Sequence, residues 1–129
     1  MTRRIIISLL LGITITTLPV VMIRTAQANE SGIDAGKRLY QVYCVQCHGV
    51  GGDGYGINVA DMEVLPKDHT DTREMQSRTD KDLFKAIKHG GKAIDKSVLM
   101  PNWDGNLSDQ QIESLVRYLR TVCCEKKTK

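Results

Sequence analysis

Aromatic side chains are scarce in this chain of 129 residues, which contains one tryptophan, one phenylalanine and four tyrosines. Aromatic side chains bury more apolar area than most others, so a domain with few of them has little material for a core. Small domains also have marginal cores because of their surface-to-volume ratio. The composition therefore indicates that a group other than the side chains supplies part of the apolar interior.

An excess of charge of one sign is also lacking once the first segment of the chain is set aside. That segment has a basic start, an apolar run over residues 5–23 and the small-residue ending Ala26-Gln27-Ala28. These features predict a secretory signal peptide at residues 1–28, cleaved after Ala28. The apolar run nearly spans a bilayer, so an uncleaved N-terminal membrane anchor is the alternative. We therefore expect a periplasmic or otherwise exported protein.

The remaining residues 29–129 are predicted to form one small domain, with a core at 30–122 and a polar tail at 123–129. Three leader arginines account for the full net charge of +3, so this domain holds 15 basic and 15 acidic side chains. A neutral domain gives no electrostatic reason to expect nucleic acid. Because no nucleophile–base pair or acid–base constellation is visible, the sequence does not predict an enzyme.

Cys44, Cys47 and His48 form the motif Cys-x-x-Cys-His, the attachment signature of a c-type haem. On one turn of backbone, two thiols can form thioethers with one edge of a porphyrin, and the next imidazole can ligate the iron. A zinc site would need a second ligand pair, and a thioredoxin-like site would need parallel strands; neither is predicted. The motif predicts one covalently attached haem c, which would also supply the missing apolar interior.

Helix signals predict an all-α domain of about three main helices joined by long loops. The predicted helices, each with its capping pair, are Ser31/Asp34 to Cys44, Thr79/Asp82 to Gly90, and Ser108/Gln111 to about Val122. The predicted core positions are Tyr40, Tyr43, Leu83, Phe84, Ile87, Ile112, Leu115, Val116 and Leu119. Residues 57–78 are predicted to be irregular.

The second face of the haem iron either takes another ligand or stays open. The candidates are the methionines, two histidines and the late cysteines: Met22, Met62, Met75, Met100, His69, His89, Cys123 and Cys124. Met100 is favoured because it lies in a loop between two predicted helices, directly before Pro101, and a thioether is a soft ligand. His69 and His89 are predicted to be surface residues, although either could give bis-His ligation.

The adjacent cysteines Cys123 and Cys124 are not expected to bond to each other, because such a disulfide would be strained. One buried and one exposed thiol is the prediction. A disulfide-linked dimer or a bond to a partner subunit is one alternative. Thiolate ligation of the iron, which would favour sensing or the binding of small ligands, is another.

The chain resembles a small soluble monohaem cytochrome c of the class I type. The matching residues are Gly36, Tyr40, Cys44, Cys47, His48, Gly49, Leu99, Met100, Pro101, Trp103, Leu107, Ser108, Asp109, Leu115, Val116, Tyr118 and Leu119. The resemblance implies the cytochrome c fold, with Gly36 and Tyr40 crossing the last helix near Leu115 and Tyr118. It implies ligation of the haem iron by His48 and Met100. It also implies that a backbone carbonyl before the middle helix, expected at Pro66, accepts a hydrogen bond from His48 Nδ1.

By this resemblance, we expect an electron carrier that passes single electrons between redox partner proteins. One alternative is a haem subunit of a larger oxidoreductase complex, docked through the late cysteines or a lysine face. That face comprises Lys81, Lys85, Lys88 and Lys92, and we predict it to be an ordinary solvated helix face. Another alternative is a Cys-ligated or open-site haem protein that senses or binds small ligands.

Overall fold

The computed structural model describes residues 32–124. The expected signal peptide, Met22, the Ser31 cap and the end of the polar tail lie outside the described residues. The helices are α1 (Ile33–Tyr43), α2 (Val45–His48), α3 (Thr72–Gln76), α4 (Asp80–His89) and α5 (Asp109–Cys123), with 3₁₀ turns at Ile57–Val59 and Gly91–Ile94. This range contains no strand, only an isolated bridge between Asp104 and Leu107. The predicted all-α fold with three main helices is confirmed.

Helix α1 crosses α5 at Gly36, where the two backbones come into contact. A Cβ atom at this position would lie 2.5 Å from the carbonyl carbon of Ser114 and 2.9 Å from the Cβ atom of Tyr118. One helical turn later, Tyr40 lies beside Tyr118, with ring centroids 5.3 Å apart. The predicted crossing is therefore confirmed, and it requires a residue without a side chain in α1.

Capping boxes begin both α4 and α5, as predicted. The Thr79 hydroxyl accepts from the Asp82 amide at 3.2 Å, and the Thr79 amide donates to the Asp82 carboxylate at 2.8 Å. Ser108 and Gln111 make the equivalent pair of bonds at the start of α5. Each box satisfies amides that have no carbonyl partner within the helix. Helix α1 differs, because its first residue follows Gly32, which provides no side-chain cap.

Residues 57–78 are less irregular than predicted, because they contain α3 and a 3₁₀ turn. Asp71 caps α3 by accepting from the Glu74 amide at 3.0 Å. A helix of five residues is too short for a hydrophobic period to be visible in the sequence. Arg120 of α5 fixes this segment by donating to the carbonyls of Met75 and Arg78, at 2.6 Å each, and to the carboxylate of Asp80 at 2.8 Å.

The core lies between α5 and the helices that pack on it. Its buried members are Tyr40, Met75, Ile87, Leu107, Ile112, Leu115, Val116, Leu119 and Cys123. The four predicted core positions of α5 are confirmed, whereas Leu83 and Phe84 are only partly buried. Tyr43 was predicted in the core and is instead 43% exposed, because α1 ends there and its ring packs beside Trp103 at a centroid distance of 5.0 Å. None of the described helices is long and apolar enough to cross a membrane.

A disulfide joins Cys123 to Cys124, so the expectation that these neighbours do not pair is wrong for this structure. Cys123 is the last residue of α5, and Cys124 already has a non-helical backbone with φ −127° and ψ −11°. The angular separation that a helix imposes on consecutive side chains therefore does not apply to this pair.

Candidate haem site

The attachment motif lies on a single turn at the junction of α1 and α2. Cys44 caps the C-terminus of α1, its amide donating to the Tyr40 carbonyl at 2.9 Å. Its own carbonyl accepts from the amides of Cys47, at 3.2 Å, and His48, at 2.8 Å. Both thiols are unpaired and partly buried. The turn thus places the two thiols and the imidazole within one short segment that backbone hydrogen bonds hold.

The Cys44 thiol differs from the thiols of disulfide oxidoreductases. Burial raises its pKa from 9.0 to about 12, with a smaller contribution from the neighbouring Cys47. Redox-active Cys-x-x-Cys pairs depend instead on a lowered pKa, which provides a reactive thiolate at neutral pH. A thioredoxin-like reading of the motif is therefore not supported.

His48 is held in the form that suits an iron ligand. Its Nδ1 atom lies 3.0 Å from the Lys67 carbonyl oxygen. Because a carbonyl can only accept, Nδ1 must carry the hydrogen. Burial lowers the pKa of His48, an effect that the hydrogen bond to Lys67 opposes, so the ring is neutral at pH 7. In a neutral imidazole protonated at Nδ1, Nε2 has a free lone pair for a metal.

The carbonyl that orients His48 belongs to Lys67, one residue after the predicted Pro66. The glycine loop that follows the motif explains this placement. Gly54 donates to the His48 carbonyl at 2.9 Å, and a Cβ atom at Gly54 would lie 2.7 Å from the Pro66 carbonyl oxygen. Gly54 also has a φ of +85°, which other residues rarely adopt. The Pro66 carbonyl therefore faces the glycine loop, and the next carbonyl meets the imidazole.

His69 is buried at 8% exposure, so the prediction of a surface histidine is wrong. Its ring stacks on that of His48, with centroids 4.3 Å apart and an angle of 16° between the planes. Its amide donates to the Gly52 carbonyl at 2.6 Å. The polar sequence around His69 does not indicate this burial, which depends on the backbone bond to Gly52 in the loop after the attachment motif.

Met100 lies in the loop between α4 and α5, half-buried against the core cluster that also contacts Cys44. Its carbonyl accepts from the Gly91 amide at 3.0 Å, and its amide donates to the Ser97 carbonyl at 3.3 Å. Trp103 continues this anchoring by donating to the Lys88 carbonyl at 3.1 Å. The end of α4 and the residues just after it therefore hold the loop at Met100 and at Trp103.

The other ligand candidates fit a haem iron less well. Met75 is fully buried in the core. His69 faces His48 ring to ring, whereas an axial imidazole must point its nitrogen lone pair at the metal, so these two rings cannot bind one iron from opposite sides. Both late cysteines are tied up in their disulfide. His89 is exposed at the end of α4, and Met62 is partly buried in a turn.

Comparison with known proteins identifies the fold. The profile of the family described as "Cytochrome C oxidase, cbb3-type, subunit III" matches residues 31–119. The chain belongs to this cytochrome c family. It is a small monohaem cytochrome of class I, as the sequence resemblance implied. A comparison with curated protein sequences found no match.

Several solved structures share this fold. One is the reducing HAO-like protein complex of Kuenenia stuttgartiensis, with 26% identity, a TM-score of 0.58, and coverage of 74% of this chain and 44% of that chain. The c-type cytochrome KustC0563 has 21% identity and a TM-score of 0.55, over 68% of this chain and 96% of that one. Cytochrome CL of Methylophaga aminisulfidivorans has 24% identity and a TM-score of 0.52, over 69% and 53%. This cytochrome thus spans less than half of the matched chain of the HAO-like complex and about half of cytochrome CL.

A c-type cytochrome carries covalently bound haem c with iron, and the described residues fit this group. Large apolar side chains are exposed on both segments that flank the candidate ligands. Val64 and Leu65, just before the Lys67 carbonyl, are 63% and 46% exposed, and Val98 and Leu99, just before Met100, are 71% and 60% exposed. A flat apolar cofactor would cover such surface, which otherwise costs free energy in water. When bound, haem c supplies an iron that changes its charge by one electron.

Proposed function

We propose that this cytochrome carries single electrons between redox partner proteins. Cys44 and Cys47 hold the haem as thioethers, and His48 and Met100 ligate its iron. The observation that carries the proposal is the neutral His48 ring, in which Nδ1–H donates to the Lys67 carbonyl and Nε2 keeps a free lone pair. Two protein ligands that stay in place leave no open position for substrate, so the protein transfers electrons and is not itself an enzyme.

The same proposal includes export. Residues 1–28 act as a secretory signal cleaved after Ala28, and residues 29–129 form the mature periplasmic domain. Membership of the c-type cytochromes, which are typically exported, supports this assignment. Intact mass spectrometry of the purified protein tests it directly: we expect the mass of residues 29–129 plus one haem. A mass that retains the leader would favour the N-terminal membrane anchor.

Ligation is tested by the absorption spectrum of the oxidised protein. We expect the wild type to show the weak near-infrared charge-transfer band of iron bound to methionine sulfur. Met100→Ala should abolish the band and allow carbon monoxide to bind the reduced iron, whereas Met62→Ala is the matched control and should leave the band unchanged. If the band survives in Met100→Ala, Met100 is not the ligand. A wild type that lacks the band and binds carbon monoxide readily has an open site.

A second candidate function is a haem subunit of a larger oxidoreductase complex. The observation that favours it is the similarity to a structure of the HAO-like protein complex. The lysine face contributes little to such docking through Lys88, because Lys88 already pairs with Asp109 at 2.8 Å. Purification of the tagged protein from its native host separates the two functions: a carrier elutes as a free monomer, and a subunit elutes with its partners in a stable complex.

A further inference from the structure

His69 is a buried polar residue whose ring contacts the proposed iron ligand His48. Its imidazole lies flat against His48, with ring centroids 4.3 Å apart and an interplanar angle of 16°. The Lys67 carbonyl fixes the same His48 ring through Nδ1. One hydrogen bond holds a ring at one atom but leaves it free to rotate about that bond. A second ring stacked on its face restricts this rotation, because turning His48 would bring its edge into His69.

A hydrogen-bond chain holds His69 in turn. The Tyr40 hydroxyl donates to the Gly49 carbonyl at 3.2 Å and lies 3.4 Å from His69 Nδ1. Because the single hydroxyl hydrogen goes to Gly49, Nδ1 of His69 is the donor in the second contact. The rings of Tyr40 and His69 also meet edge to face, with centroids 5.8 Å apart. His69 is therefore connected to the residue directly after His48.

The His69 ring is buried, at 8% exposure, and burial favours a neutral imidazole over a charged one. A charged imidazolium stacked on the proximal ring would repel the ferric iron, whereas a neutral aromatic face attracts positive charge. The contact is thus favourable in both oxidation states and more favourable in the ferric one.

We propose that His69 is a positioning residue that fixes the plane of the His48 ring and favours the ferric state of the haem iron. This inference rests on the proposed ligation by His48. The haem iron and its proximal imidazole carry more positive charge when oxidised, and the π face of His69 stabilises that charge. Loss of the aromatic ring should therefore raise the reduction potential, and loss of the hydrogen bond to Tyr40 alone should not.

Three variants separate these contributions. His69→Phe keeps an aromatic face and loses the bond to Tyr40; His69→Gln keeps a polar group and loses the aromatic face; His69→Leu loses both. At a fixed applied potential, we expect the ratio of ferric to ferrous protein to fall about two- to tenfold in His69→Gln and His69→Leu. His69→Phe should stay close to the wild type. Spectroelectrochemical titration measures these ratios.

Electron paramagnetic resonance of the ferric protein provides a readout that stability alone does not move. The g values depend on the orientation of the axial ligands, so they should shift in His69→Gln and His69→Leu and be retained in His69→Phe. Unchanged potentials and g values in His69→Gln and His69→Leu would overturn the proposal, as would an equal shift in all three variants. If His69→Leu does not accumulate with haem, His69→Gln carries the same expectation.

Failure of this proposal can be told apart from failure of the proposed function. The wild-type spectrum and a His48→Ala variant test the ligand itself. If His48→Ala keeps the six-coordinate spectrum of the wild type, the ligation proposal is wrong. If His48→Ala loses that spectrum while the His69 variants behave like the wild type, the ligation stands and the role of His69 is wrong.

Discussion

Replacing Gly36 with alanine should destabilise the protein, although alanine is the better helix former. A Cβ atom at this position would overlap the Ser114 carbonyl group, lying 2.5 Å from its carbon, and would also lie 2.9 Å from Tyr118 Cβ. Optimal contacts between carbon atoms are about 3.5–4.0 Å, so α1 and α5 would have to separate by about 1 Å. The obstructing Ser114 atoms are backbone within a helix and cannot rotate away.

The net effect follows from two opposing contributions. Overpacking costs typically about 1–3 kcal/mol, and we take the upper part of this range because backbone is displaced. Helix propensity returns about 1 kcal/mol when glycine becomes alanine. We therefore expect the free energy of unfolding to fall by about 2 kcal/mol. For a domain of this size, the melting temperature should fall by about 8–16 °C.

Guanidinium unfolding of the haem-loaded protein, followed by far-ultraviolet circular dichroism, measures this change. Gly51→Ala is the matched control, because no atom lies within 4 Å of a Cβ atom at Gly51 and its φ is not positive. That variant should be neutral or about 0.5 kcal/mol more stable, since alanine has less freedom in the unfolded chain. If Gly36→Ala proves as stable as Gly51→Ala, the close crossing of α1 and α5 does not exist.

Three further predictions concern other parts of the fold. Burial lowers the pKa of His69 from 6.5 to about 3, so the stability that the neutral ring contributes should be complete above pH 6.5 and lost as the pH falls toward 3. Between these pH values, the free energy of unfolding should fall by about 1.4 kcal/mol per pH unit more in the wild type than in His69→Phe. Because Cys123 pairs with Cys124, the protein should run as a monomer on a non-reducing gel, and a dimer would contradict the pairing. The double variant Cys123→Ser, Cys124→Ser should have nearly the wild-type free energy of unfolding, since a disulfide between neighbours closes no chain loop. In Trp103→Ala, the near-infrared band should disappear at a lower temperature than in the wild type, because the substitution removes the contact between the Met100 loop and Tyr43 of α1. An unchanged thermal midpoint of the band would show that the backbone hydrogen bonds alone hold the loop.

Several features were predictable because their cause is local. The capping boxes at Thr79 and Ser108 depend only on residues three positions apart, and both formed as predicted. The buried face of α5 follows from a helical period that the sequence displays over four positions. The family resemblance implied the close approach at Gly36, and a glycine inside a helix agrees with it because only a residue without a Cβ atom allows such contact.

Other features depend on which segments meet in space. Nothing near His69 in the sequence indicates burial, and it is buried only because the glycine loop draws its segment against His48. The carbonyl that orients His48 is that of Lys67 and not the predicted Pro66, because Gly54 packs against the Pro66 carbonyl. Tyr43, the last residue of α1, packs against Trp103 of the loop before α5 and is 43% exposed, a contact between segments that are distant in the sequence.

The sequence by itself determined the haem attachment turn, the helical framework and the family, because each depends on spacing along the chain. The tertiary structure alone decided how the proximal imidazole is held, since the Lys67 carbonyl and the His69 ring reach it from 19 and 21 positions away in the chain. Contacts at that separation are set by the path of a loop, and no local pattern in a single sequence encodes that path.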